Sequence, residues 1–86
     1  MINSTVTVTA PEGLHLRPAG ILSKLVRNYN SETTIKFEGK DINAKKMMAI
    51  MSAGIKADSQ IEIVVEGEDE TTAMAEIQAF FDNGMQ

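Results

Sequence analysis

The sequence predicts an α+β sandwich of order βαββαβα, with its helices stacked on one face of a small sheet and the other face left open. Three observations lead there. Stretches around residues 4–9, 33–38, 41–43 and 60–66 read as strands, rich in β-branched residues or alternating apolar with polar positions. Patterns with apolar residues every three or four positions fall between and after them. The whole is 86 residues, 43% hydrophobic and 23% charged, which suits one folded unit, so a single domain spanning 1–86 is expected.

Taken in order, Val6 and Val8 put the apolar side of the first strand on one face, and Pro11 and Gly13 stop it. A helix then begins near Leu16, with Ala19, Leu22, Leu25, Val26 and Tyr29 sharing a face, and leaves through residues 28–31. Ile35 and Phe37 mark the second strand. Gly39 and Lys40 would turn it tightly into a short third strand around Ile42. Residues 46–53 suit a short helix ended by Gly54, a good left-handed terminator. Residues 60–66 form the strongest strand in the chain. Asp69 is placed to cap the last helix, which would bury Ala73, Met74, Ile77, Phe80 and Phe81 and end near Gly84.

Composition excludes several kinds of chemistry. Cysteine is absent, which removes disulfides, thiolate metal sites and thiol nucleophiles together. The single His has no second imidazole to share a metal, and the carboxylates near it lack ligand spacing, so neither metal nor cofactor is expected. No serine sits in a nucleophile elbow. No apolar run reaches the roughly 20 residues of a membrane span, and no signal-like N-terminus is evident, so a cytoplasmic protein without membrane insertion is expected. The net charge of −4 argues against nucleic acid, as do Tyr29, Phe37, Phe80 and Phe81, which all fit core patterns. That total hides an asymmetry. Residues 1–46 hold seven of the eight basic residues but only four of the twelve acidic ones, so one part of the molecule is suited to steering an acidic partner.

The lone imidazole stands in Gly13-Leu14-His15-Leu16-Arg17-Pro18-Ala19-Gly20, at the junction of a turn and a helix start. Pro18 fits the first helical turn, where backbone donors have no internal partner. Those free amides and the positive helix end form a receptor for an anion, and the Arg17 fork suits phosphate oxygens. A nucleophilic nitrogen beside a preformed anion receptor is the arrangement needed to accept a phosphoryl group and release it again.

These residues, the Gly39 hairpin and a second block over residues 43–55 (Asn-Ala-Lys-Lys-Met-Met-Ala-Ile-Met-Ser-Ala-Gly-Ile) closely resemble the HPr family of phosphocarriers in the bacterial sugar phosphotransferase system. The likeness covers essentially the whole chain. It implies a four-stranded antiparallel sheet covered by three helices. It also implies that His15 takes a phosphoryl group on Nδ1 from phosphorylated Enzyme I and passes it to a His on the A component of a sugar permease. Such a protein is a transfer component rather than an independent enzyme. Arg17 would position the phosphoryl oxygens and Pro18 would shape the helix start. The family's docking positions correspond here to Leu16, Arg17, Gly20, Lys24, Arg27, Met47, Met48 and Met51.

Methionines at helical spacing ordinarily belong in a core, yet three on so short a helix do not all face inward. Met47 and Met51 share a face, and Met48 stands about a hundred degrees away. The expectation is that Met47, Met48 and Met51 form an adaptable apolar centre with a basic rim, while Ile50 turns inward. Two positions depart from the family pattern. Lys46 replaces a serine that many members use for regulation, so no phosphoserine switch is expected there, and Lys45 and Lys46 should enlarge the basic rim. Glu12 stands where Ser or Thr is frequent, so its carboxylate either points to solvent or makes the phospho form less stable. An alternative function is a regulatory adaptor that acts by docking alone, but it would not need a nucleophile at His15. A monomer is expected, because docking must leave His15 free.

Overall fold

The computed structural model describes residues 1–85, which form β1 (Ile2–Thr7), α1 (Leu16–Arg27), β2 (Glu32–Phe37), β3 (Lys40–Asn43), α2 (Met47–Ser52), β4 (Gln60–Glu66) and α3 (Glu70–Asp82). The element order is the predicted one. All four strands form one antiparallel sheet in the order β1-β4-β2-β3. The last strand therefore inserts between the first two, leaving β1 and β3 as edges.

Alternation decides which side of the sheet is covered. Val6, Ile35, Ile61, Ile63 and Val65 are buried beneath the helices. At the centre, Ile63 stands opposite Ser4 on one side and Ile35 on the other. Burying such a side chain contributes roughly 1.5–3 kcal/mol. The intervening positions line up across the open face as Thr5, Glu62, Lys36 and Asp41. Here Lys36 Nζ lies 3.2 Å from Asp41 Oδ1, and Asn3 Nδ2 donates to Glu62 Oε2 at 2.7 Å. From the helical layer, Ala19, Leu22 and Val26 of α1, Ile50 of α2, and Ala73, Ile77, Phe80 and Phe81 of α3 complete the core.

Several boundaries differ from the sequence reading. The first strand runs Ile2–Thr7, where its pairing with β4 ends opposite Gln60; just before β4, Asp58, at φ 66, leaves the extended conformation and interrupts the regular ladder. Val8 keeps its two backbone hydrogen bonds, to Ser59 O and from Asp58 N, outside the ladder. The hairpin turns on Glu38 and Gly39 rather than on Gly39 and Lys40. Both have positive φ, 50 and 78, so Phe37 and Lys40 pair directly; this is the two-residue turn whose twist suits a hairpin. Leu25, Tyr29, Phe37 and Met74 are half-buried, at the margins of the core.

Asp69 holds the N-cap position of α3, but its side chain makes no capping bond. Its carboxylate instead accepts from Asn30 N at 2.8 Å, Ser31 N at 2.9 Å and, at very short range, the Ser31 hydroxyl, so it pins the start of β2. Nearby, Gly67 N donates to Glu70 Oε1 at 3.1 Å. The Ser31 hydroxyl foremost, then the Asn30 amide, holds Asp69 below the ordinary carboxylate pKa. Glu70 is lowered too, chiefly by the Gly67 amide and then by the N-terminal ammonium. A carboxylate with a lowered folded-state pKa contributes stability above its unfolded value, and loses it as pH falls through the folded one. The melting temperature is therefore expected to drop as pH falls below about 4. Asp69→Asn should lower it at neutral pH and make the acid loss shallower, with Glu70 supplying the remainder. Circular dichroism melts from pH 7 to 2 check this, and an unchanged acid slope in the variant would contradict it.

Candidate phosphoryl-acceptor site

The segment before α1 is held on both sides. Residues 10–13 make a β-turn closed by Gly13 N donating to Ala10 O at 2.9 Å, with Pro11 preset for its place in the turn. Leu14 N donates to Ile55 O at 3.0 Å, and its side chain is buried. Gly13 has φ +74 and lies flat against the backbone of residues 55 and 56; a Cβ there would come within 2.8 Å of Lys56 Cα and overlap Ile55 O. Only glycine fits both the conformation and the space. The loop after α2 thus fixes the chain one residue before His15.

His15 is the N-cap of α1, at φ −80 and ψ −169, and its side chain makes no capping hydrogen bond. The imidazole is 38% exposed. Its carbonyl accepts the first helical bond, from Ala19 N at 3.0 Å. Pro18 has no N–H, so the helix end presents the amides of Leu16 and Arg17 as its uncommitted donors. Arg17 is exposed, and no acidic residue stands in the first turn to offset the helix dipole. A shallow cleft of about 660 Å³ brings together Glu12, His15, Arg17, Pro18 and Met85. A second, of about 340 Å³, is lined by Glu12 and His15 together with Met51 and Lys56. Glu12 is largely exposed, and its Oε2 lies 3.6 Å from His15 Nε2.

The residues expected to dock partners are distributed unevenly. Leu16 and Met48 are 60% and 65% exposed, while Ile50 between the flanking methionines is fully buried. Met47 and Met51 are half-buried against the core. Met47 lies over half-buried Gly20, where a Cβ would meet its Sδ at 3.4 Å, so the absent side chain lets α1 and α2 approach. Lys24 and Arg27 are exposed, although Arg27 Nε also donates to Ser23 O at 3.2 Å. Lys46 is exposed at the N-cap of α2. Lys45 departs from the expected rim: its Nζ donates to Tyr29 O at 3.2 Å, where a cation suits the C-terminal end of α1.

Sequence reasoning missed two contributors. Ser23 is fully buried and donates to Lys45 O at 3.0 Å, joining α1 to the approach of α2. Met85 walls the larger cleft. Its N–H donates to Phe80 O at 2.8 Å and that of Gly84 to Phe81 O at 3.2 Å, a Schellman closure that folds Met85 back onto the core. The available signal was a glycine followed by an apolar residue just past the last helix.

With this geometry in view, a family model described as "PTS HPr component phosphorylation site" matches residues 2–83. The chain belongs to the HPr family. Within that family, it is 40% identical over 74 residues to the phosphocarrier protein HPr of Buchnera aphidicola subsp. Acyrthosiphon pisum, a match covering 86% of this chain and 87% of the relative. The structure of HPr-C-His from Thermoanaerobacter tengcongensis superposes with a TM-score of 0.94 at 27% identity, covering 99% of this chain and 96% of that one. An HPr dimer from the same organism gives 0.79 at 27% identity, covering 100% and 99%. HPr neighbours share the four-stranded antiparallel sheet and three helices described above.

Proposed function

We propose that His15 accepts a phosphoryl group on Nδ1 from phosphorylated Enzyme I and passes it to a histidine on the A component of a sugar permease. The observation that carries this reading is an accessible imidazole, free of capping bonds, at the tip of α1 beside the Leu16 and Arg17 amides. In the transfer, the Nδ1 lone pair forms the new N–P bond while the donor's bond breaks and returns its electron pair to the donor. The amides and the Arg17 fork take the phosphoryl oxygens, and Pro18 keeps the helix tip in shape. Because the receptor is preformed, little reorganisation opposes either arrival or departure.

Partner binding is assigned to Leu16, Gly20, Lys24, Arg27, Met47, Met48 and Met51, an apolar centre with cations about it suited to acidic surfaces. The protein works in the cytoplasm as one domain and as a monomer, since each partner must reach His15, and it needs neither metal nor cofactor. Lys46 carries an amine where many members have the regulatory serine, so that switch is absent at this position. The test is incubation with Enzyme I and phosphoenolpyruvate, read by intact mass. One phosphoryl adduct, acid-labile and base-stable as a phosphoramidate should be, is expected; an acid-stable adduct or none would overturn the reading.

A further inference from the structure

We infer that Glu12 is a positioning residue for His15: its carboxylate holds the ring proton on Nε2, leaving Nδ1 with the lone pair that attacks phosphorus. This rests on the phosphoryl-acceptor reading of His15. The placement is built into the fold. The turn closed by Gly13 N and Ala10 O sets the backbone of Glu12, and the hydrogen bond from Leu14 N to Ile55 O sets the approach to His15. Across these three residues Oε2 reaches to 3.6 Å from Nε2. That separation is too long for a direct hydrogen bond, so the influence is electrostatic. Negative charge beside one ring nitrogen favours the tautomer with its proton there, just as a carboxylate partner fixes the tautomer of a catalytic histidine.

The same charge acts during transfer. As the bond from Nδ1 to phosphorus forms, the ring becomes positive while Nε2 keeps its proton, and the donor takes back the electron pair of the broken bond. Glu12 faces that developing positive charge. When the phosphoryl group leaves, the Nδ1–P pair returns to the ring and the starting tautomer is restored. The Arg17 guanidinium and the α1 tip attract the phosphoryl oxygens, so attraction for the group and for the ring comes from different residues. Repulsion between Glu12 and those oxygens is the competing effect.

The experiment uses the full chain labelled with ¹⁵N. Long-range ¹H–¹⁵N spectra of the unphosphorylated protein at alkaline pH report the tautomer of its single imidazole. Glu12→Gln is expected to lower the ratio of Nε2–H to Nδ1–H about twofold, since a proton's partial charge moves only from one ring nitrogen to the other in a watery setting. Glu12→Asp should restore part of it, and about 1 M salt should shrink the difference between wild type and Gln variant. The initial rate of labelling by Enzyme I should fall by a similar factor in the Gln variant. An unchanged tautomer ratio, or faster labelling after Glu12→Gln, overturns the inference. Failure of the wild type to be labelled would instead overturn the acceptor reading, and the tautomer ratio, measured without any phosphoryl donor, decides the role of Glu12 separately.

Discussion

Replacing His15 with alanine is expected to abolish phosphoryl acceptance while leaving the fold intact. The imidazole is part-exposed and makes no capping bond, so its removal takes little from packing or from the helix. A change in melting temperature within about 4 °C is anticipated, as for a surface substitution in a domain of this size. Labelling by Enzyme I should fall to background, because the chain has no second imidazole or thiol. Arg17→Ala should be less severe, slowing labelling about a hundredfold through loss of one group that stabilises the transferring phosphoryl oxygens. Arg17→Lys should recover only part, since an ammonium lacks the two-pronged geometry. Mass spectrometry and thermal melts on the same samples separate chemistry from folding. Undiminished labelling of the His15 variant would assign the acceptor to another residue.

The second large effect concerns Gly13. Gly13→Ala forces a side chain into left-handed backbone and drives its Cβ into the backbone at residues 55 and 56, none of which is a flexible side-chain end. Gly54 supplies the control, because at φ +67 it is equally left-handed but has open space around it. Gly54→Ala is expected to cost about 1–2 kcal/mol from conformation alone, lowering the melting temperature by about 5–10 °C. Gly13→Ala adds overlap to the same conformational cost and should lower it by more than about 15 °C. Such protein as remains folded should also be labelled slowly, because relief of the overlap displaces the segment carrying His15. Equal destabilisation by the two substitutions would show that the contact with residues 55 and 56 is not a constraint.

The contrast between those glycines shows what the sequence disclosed and what it concealed. The bounds of β4 and the start of α1 were legible because each depends on a local repeat: alternation over residues 60–66, and apolar spacing from Leu16. His15 could be placed at a helix tip for the same reason. The contact of Gly13 with Ile55 spans 42 positions, and nothing local distinguishes it from an ordinary turn glycine. Asp69 misled for a related reason. It stands at an N-cap, yet the backbone amides of residues 30 and 31 and the Ser31 hydroxyl take its carboxylate instead. Lys45 looked like free surface charge until the folded chain brought the carbonyl of Tyr29 within reach. The direction of Glu12 and the wall made by Met85 likewise depend on where separate loops meet. Periodicity reports elements and their faces; side chains that tie one element to another need the assembled molecule.

The bond from Lys45 to Tyr29 has a practical consequence. Tyr29 is the only tyrosine and tryptophan is absent, so ultraviolet emission from this chain arises chiefly from one phenol. It sits just past the far end of α1, about 20 Å along the helix axis from the tip that bears His15. Phosphoryl exchange should leave that fluorescence quiet, whereas unravelling of the anchored end should alter it, giving an intrinsic optical gauge of integrity that is blind to turnover.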